Sequence, residues 1–344
     1  MSLRVLASSG VIAFLTIGSV SLAGQAQPSE SKARAAEAKK SPPRPLPWGD
    51  PDLQGVWSYA TTTPLERPAA LAGKEFYTPE ETAARDAASD PLSPEQARPP
   101  REGDPGTYNR LWGDAGKTSN LRTSLIIDPP DGRLPPLTPG AQKRIKERAA
   151  YLEAHPSDSY RDRPTDDRCI NYHGVPPIST GYSNTYQIFQ TPGYVAILDE
   201  EVHYVRIIPL DGRPKLGDAI RRIDGESRGR WEGKTLVVET TNYSDRSELI
   251  PGSPLRFPAS PYTRAIERFT RVDAGSIDYQ FTIDDPTVYT RPWTAVRPMP
   301  RVDGYRIYEY ACHEGNHAMT GMLLGARAEE KAAEAAAAAK ARQK

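Results

Sequence analysis

The string His313-Glu314-Gly315-Asn316-His317 sets two imidazoles four residues apart with a carboxylate beside the first. On a helix, that H-E-x-x-H spacing puts both rings on one face, where they bind zinc while the Glu acts as base for metal-bound water, the chemistry of a zinc metalloprotease. The neighbouring residues argue for something else. The string follows directly on an extended run, Tyr305–Tyr310, carries Gly and Asn in its interior, and has no third His at metzincin spacing. It therefore predicts a strand-to-helix corner anchored by Cys312, and no metal ligand is expected. Without zinc, His313 and Glu314 still form a potential general acid/base pair. The competing reading is a corner histidine satisfied by a backbone carbonyl.

His203 shares parity with Val205 and Ile207, so a strand there turns it toward an apolar side, where a polar group needs a partner. It reads either as a buried structural histidine or, with His313 and Glu314, as a catalytic residue. Cys169 and Cys312 form a disulfide if the chain is exported, and remain two separate buried thiols if not. Closing so long a loop stabilises by about 4–5 kcal/mol in the chain-entropy view. His173 follows Cys169 by four residues, so the bridge would carry it toward His313 and allow the histidines to converge. Arg206, Arg213, Arg228, Arg268 and Arg291, with Glu239, Glu267 and Glu309, lie in or beside the same extended runs. They read as guanidinium–carboxylate forks that fix a sheet, or as a polar interior that recognises a carboxylate, sulfate or sugar. Arg228, between Ser227 and Gly229, is the best single anion-binding candidate. Trp231 and Trp293 offer stacking faces or plug a core; with His173 and Arg228 they make up the expected substrate-binding set. No Gly-x-Ser-x-Gly, P-loop or Rossmann fingerprint occurs, so neither a Ser nucleophile nor a cofactor is expected.

The elements that must position these groups are mostly strands. From Thr185 the pattern has period two: Thr185–Phe189, Val202–Ile208, Thr235–Asn242, Ala265–Arg271, Ser276–Ile283 and Tyr305–Tyr310. Ile277, Tyr279, Phe281 and Ile283 share one face. Turn pairs such as Asp211-Gly212 and Glu232-Gly233 separate successive runs, which favours antiparallel neighbours. The expected fold is mainly β, an antiparallel meander barrel or curled sheet, wrapped by a Pro-rich N-terminal region with a few short helices. Two of those helices are legible, Pro79–Ala88 behind Thr78 and Pro139–His155 behind Thr138.

Asp52-Leu53-Gln54-Gly55-Val56-Trp57 resembles the Gly-x-Trp start of lipocalin-type barrels. Over roughly Trp48–Arg327 the chain also resembles a large family of exported bacterial β proteins. That resemblance rests on Tyr108-Asn109-Arg110-Leu111-Trp112, Arg122-Thr123-Ser124-Leu125-Ile126-Ile127-Asp128-Pro129-Pro130-Asp131-Gly132, Pro209–Pro214, Ser227-Arg228-Gly229-Arg230-Trp231-Glu232-Gly233 and Ala311-Cys312-His313-Glu314-Gly315-Asn316. It implies an exported β protein and carries no activity. The family pattern has Tyr where this chain has His317, which further removes His317 from any required ligand set.

Residues 1–26 read as a signal peptide: a charged start at Met1–Arg4, an apolar stretch at Val11–Val20, and small-residue pairs Ser21/Ala23 or Gly24/Ala26 for cleavage. The apolar stretch is shorter than the roughly 20 residues of a bilayer span. An uncleaved anchor is the alternative. Residues 27–47 read as a disordered linker, 48–325 as a single β domain (48–181 the wrapping region, 185–312 the β core), and 326–344 as an Ala-rich charged tail. Lys plus Arg equals Asp plus Glu at 44 each, which leaves no basic excess for nucleic acid. Prolines number 34 of 344, about twice the usual share of roughly 5%. These features describe an exported, periplasmic protein whose partner is a small molecule. Its function is expected to be cofactor-free acid/base chemistry (a lyase, isomerase or hydrolase) on a small hydrophobic or sugar-like molecule, or non-catalytic ligand binding or scaffolding, with a zinc metalloprotease through His313, Glu314 and His317 as the third reading.

Overall fold

The computed structural model describes residues 44–89, 114, 116–179, 181–247 and 259–342. The expected signal peptide, most of the linker and the Tyr108–Trp112 string lie outside them. The architecture is mainly β, with every ladder antiparallel. One sheet has the order β1-β3-β4-β5, formed by Gly55–Ser58, Thr185–Thr191, Tyr194–Asp199 and Val205–Pro209. The other has the order β2-β10-β9-β8-β7-β6. Its strands are Ile126–Asp128 (β2), Glu226–Glu232 (β6), Thr235–Thr241 (β7), Arg264–Asp273 (β8), Ser276–Asp284 (β9) and Trp293–Pro300 (β10).

Local chemistry explains the order. β3 and β4 turn on Pro192-Gly193, and β6 and β7 turn on Gly233-Lys234, where Gly193 and Gly233 take the left-handed φ that a two-residue hairpin turn requires. Alternation then selects the inner face. On β9, Ile277, Tyr279, Phe281 and Ile283 are all buried, as their shared parity predicts. On β8 the inner set is Ala265, Glu267, Phe269 and Arg271. Trp57, Tyr186, Ile188 and Ile197 of the first sheet join Leu236, Phe269 and Phe281 of the second in a single core. Each such fully buried side chain contributes roughly 1.5–3 kcal/mol.

The sheets do not close into a barrel, which corrects the lipocalin-like expectation. Among the described residues, the backbone of β1 hydrogen-bonds to the second sheet only beyond the end of β10, through a bridge between Trp57 and Arg301 and the hydrogen bond from Val302 N to Val56 O. Pro298 and Pro300 have no N–H to offer on that half of β10, and Pro209 ends β5. Tyr305–Tyr310 is not a strand either. Its Tyr308 N–H goes to the Glu200 side chain, and its Tyr310 carbonyl to His203.

The N-terminal region gives each sheet an edge strand, β1 and β2. It also forms helices α1 (Pro79–Ala88) and α2 (Pro139–Ala154), each with a threonine side chain accepting from its first turn. Helix α3, His317–Arg342, buries no residue and is exposed from Arg327 on. Among the described residues, no helix is long and apolar enough to cross a membrane. Cys169 and Cys312 are joined by a disulfide.

Candidate functional site

A group of buried ionisable side chains lies where β4 ends. Asp199, Glu200 and Glu201 run in sequence off the strand and all three are buried. A short 3-10 turn, Glu201–His203, folds them inward before β5 begins. Asp199 braces the corner from both sides. Its N–H donates to the Tyr204 carbonyl at 2.8 Å, and its Oδ1 accepts from Glu201 N at 3.4 Å. Val202 and His203 hold φ of 59° and 42°, and nearby Ser183 holds 56°. A β-branched residue in the left-handed region is costly, on the order of 1–2 kcal/mol. Strain of that kind clusters where a protein must hold a particular arrangement of side chains.

Two other segments meet the corner. Tyr59, just past β1, donates its phenol to Asp199 Oδ1 at 2.9 Å. His173, from the loop that carries Cys169, places Nδ1 2.6 Å from that phenol and 3.3 Å from the same carboxylate oxygen. The phenol has one proton and gives it to Asp199, so this network assigns the His173 proton to Nδ1, donating to Tyr59. Burial and then the Asp199 carboxylate push the Tyr59 phenol well above its ordinary pKa, which keeps that donor protonated. The guanidinium of Arg297 lies 5.0 Å from the Tyr59 ring.

Glu201 is the chemically poised member. Burial raises its carboxyl from 4.5 to about 7, against the opposing pull of His173 and of the Ser183 and Tyr310 hydroxyls. Those hydroxyls approach the carboxylate as hydrogen-bond donors, though neither contact reaches full hydrogen-bond geometry. Glu201 is 2% exposed, whereas Tyr182, Ser183 and Tyr310 around it are only half-buried, so it sits just below the surface. Glu200 accepts from Tyr305 OH at 2.6 Å and Tyr308 N at 3.3 Å through Oε1, and its buried Oε2 has no partner. Tyr182 donates to Tyr172 OH at 3.1 Å and stacks on the Tyr310 ring at 6.5 Å.

The residues singled out in the sequence fall in different places. His173 is buried in the network. His203 sits on the strained corner with Nδ1 3.0 Å from the Tyr310 carbonyl, but it is exposed. The inward-facing strand expected for it is corrected. Residues 201–203 are not extended, and on β5 it is Arg206 and Ile208 that face in, with Ile207 56% exposed. His313 and Glu314 are exposed in a turn after Cys312, and His317 opens α3, so the two imidazoles share no helix face. Among the described residues, no three His, Cys, Asp or Glu side chains are placed to hold a metal ion. The disulfide joins the segments of His173 and His313, yet one imidazole is buried and the other exposed, and the histidines do not converge. Arg228 pairs with Glu226 and donates to the carbonyls of Ser227 and Pro214. Trp231 is half-buried against the core, and Trp293 packs edge-on to Phe281 and Tyr289. Asp199, Glu200, Glu201 and Tyr59 were not singled out. The available signal was three consecutive acids, with no base beside them, between two apolar runs. No protein-family model, curated protein or solved structure matches the chain, and the chemistry of this corner rests on its own residues.

Proposed function

We propose that the chain is an exported, periplasmic enzyme performing cofactor-free acid/base chemistry, an elimination, isomerisation or hydrolysis, on a small hydrophobic or sugar-like molecule. Its site is the Asp199–Glu201 corner. The observation that carries this reading is Glu201, a nearly buried carboxyl raised to about 7 beside His173. A group whose pKa matches the working pH both accepts and returns a proton efficiently, and such residues supply roughly 10²–10⁴-fold in rate. In this scheme the Glu201 carboxylate takes a proton from the substrate or from attacking water. The same carboxyl gives it back to the developing anion or leaving group. His173, fixed by Tyr59 and Asp199, stands beside it as the second proton-carrying group, and Tyr182 and Tyr310 supply apolar faces. The disulfide and the signal-like residues 1–26 support export.

The test is hydrogen–deuterium exchange, followed by NMR, into a panel of small ketones, esters and sugars in heavy water. The intact protein should catalyse exchange or turnover of at least one compound, and Glu201→Gln should lower it by about 100-fold or more with the fold unchanged. Activity indifferent to Glu201→Gln would overturn the assignment. A non-catalytic binding protein is the second reading, favoured by an interior filled with Tyr279, Phe281, Trp293 and their neighbours. It predicts ligand binding at this corner without exchange.

A further inference from the structure

Most buried or half-buried glutamates on the sheets are matched with a cation: Glu226 with Arg228, Glu239 with Lys215 and Arg264, and Glu267 with Arg206. Glu200 and Glu201 are not. Among the described residues, neither forms an ion pair with Lys or Arg, and the imidazole of His173 is the basic side chain that acts on Glu201. Three carboxylate oxygens on these adjacent residues, Glu200 Oε2 and both of Glu201, are buried without a hydrogen bond of full geometry, and the Ser183 and Tyr310 hydroxyls are the groups that approach Glu201. An acceptor left so is costly unless a donor from outside completes it. The other groups that face Glu201 cannot neutralise it. Asp199 is another carboxyl, which raises the Glu201 pKa further, and Tyr182, Ser183 and Tyr310 offer hydroxyls.

The geometry points to a small organic cation, a primary ammonium carried on an apolar or aromatic group, as the ligand of the Glu200–Glu201 corner. This deepens the acid/base reading and rests on it for the claim that the ligand is also a substrate. An ammonium brings three N–H donors to a pair of carboxylates that hydroxyl groups alone leave without a counter-charge. The stacked rings of Tyr182 and Tyr310 supply faces that attract a cation and cover its apolar part. A neutral sugar or alcohol would satisfy fewer of these oxygens and leave the charge uncompensated.

The test is a titration of the full-length protein with benzylammonium as the probe and benzyl alcohol as the neutral control. The Glu201 carboxyl resonance is followed by NMR and assigned from its loss in Glu201→Gln. Benzylammonium should lower the apparent Glu201 midpoint by about one unit, which corresponds to binding about tenfold tighter at pH 8.5 than at pH 5.5. Benzyl alcohol should leave it in place. Glu200→Gln, a second route should Glu201→Gln fail to fold, should weaken benzylammonium by about tenfold. If Glu201 titrates near 7 and benzylammonium does not move it, water alone serves these oxygens and the inference is overturned. If Glu201 of the free protein titrates as an ordinary carboxyl, the acid/base reading fails by itself, while ammonium binding is still decided by the shifts of the surrounding tyrosines.

Discussion

The guanidinium of Arg206 and the carboxylate of Glu267 meet at 2.9 Å in the interior, joining β5 of one sheet to β8 of the other. Tyr279 OH donates to the same glutamate at 2.9 Å. Among the described residues, no ladder closes β5 against β6, so this pair is a polar tie inside the apolar core that the two sheets share. Removing one partner leaves a buried charge without its counterion. Arg206→Met or Glu267→Gln should each cost about 3–5 kcal/mol in chemical denaturation. The double variant should lose less than the sum of the two, and simple additivity would show that the pair is not coupled.

Glu201 gives stability a pH dependence of defined sign. Its folded pKa, about 7, lies above the unfolded value near 4.5, so the folded protein holds the extra proton between those limits. Stability from this group is therefore full below about 4.5 and is lost as pH rises through 7. Asp224, raised by burial to about 6, acts in the same direction over a lower window. Glu201→Gln should stabilise the protein above pH 7 by on the order of 2 kcal/mol, and leave it nearly unchanged at pH 4.5. Equal effects at both pH values would show that Glu201 is not held at a raised pKa.

Cys312 secures the segment that covers Glu200 with Tyr305 and Tyr308. Free-thiol titration of unfolded, unreduced protein from an oxidising compartment should find close to no thiol. Cys312→Ser should lower stability by up to about 4 kcal/mol for so long a closed loop. The sharper readout is the site itself: with the cover loosened and water admitted, the Glu201 midpoint should fall toward the ordinary carboxylate range. A midpoint unmoved by the loss of the bridge would separate the cover from the carboxylate.

His313, Glu314 and His317 are exposed, so His317→Tyr and His313→Ala should each change stability by less than about 0.5 kcal/mol and leave bound metal unaltered. Parallel loss of zinc and activity in both variants would restore the metalloprotease reading.

If the proposed export holds, the mature chain should begin at Gly24 or Gln27, and N-terminal sequencing of material recovered from the periplasm tests this. A retained Met1 would identify an uncleaved anchor instead.

Much of the second sheet was legible because its strands obey one rule. Ile277, Tyr279, Phe281 and Ile283 bury one parity and hydrate the other, and short Gly-containing turns join neighbours. β10 escaped notice because Pro298 and Pro300 argue against a strand, although β2 and β9 still pair with it. β6 was hidden by its charges, since Glu226, Arg228, Arg230 and Glu232 satisfy one another along the strand. The site was illegible for a different reason. Three adjacent acids at a strand end read as a solvated turn, and the left-handed φ at Val202 that turns them inward is one a β-branched residue rarely adopts. His173 was within reach of sequence reasoning, but its partners Tyr59 and Asp199 come from distant segments that only the fold brings together.

The edge strands contributed by the N-terminal region bear on how the chain reaches this state. Gly55 pairs with Ile188, and Asp128 with Thr294, so each sheet is completed by a partner made long before the strand it joins. Pairing so distant in sequence must overcome loop-closure entropy before it is rewarded, which places refolding in the slow regime of milliseconds to seconds. Until β1 and β2 dock, β3 and β10 present open hydrogen-bonding edges, and it is in that interval that the chain is most exposed to self-association.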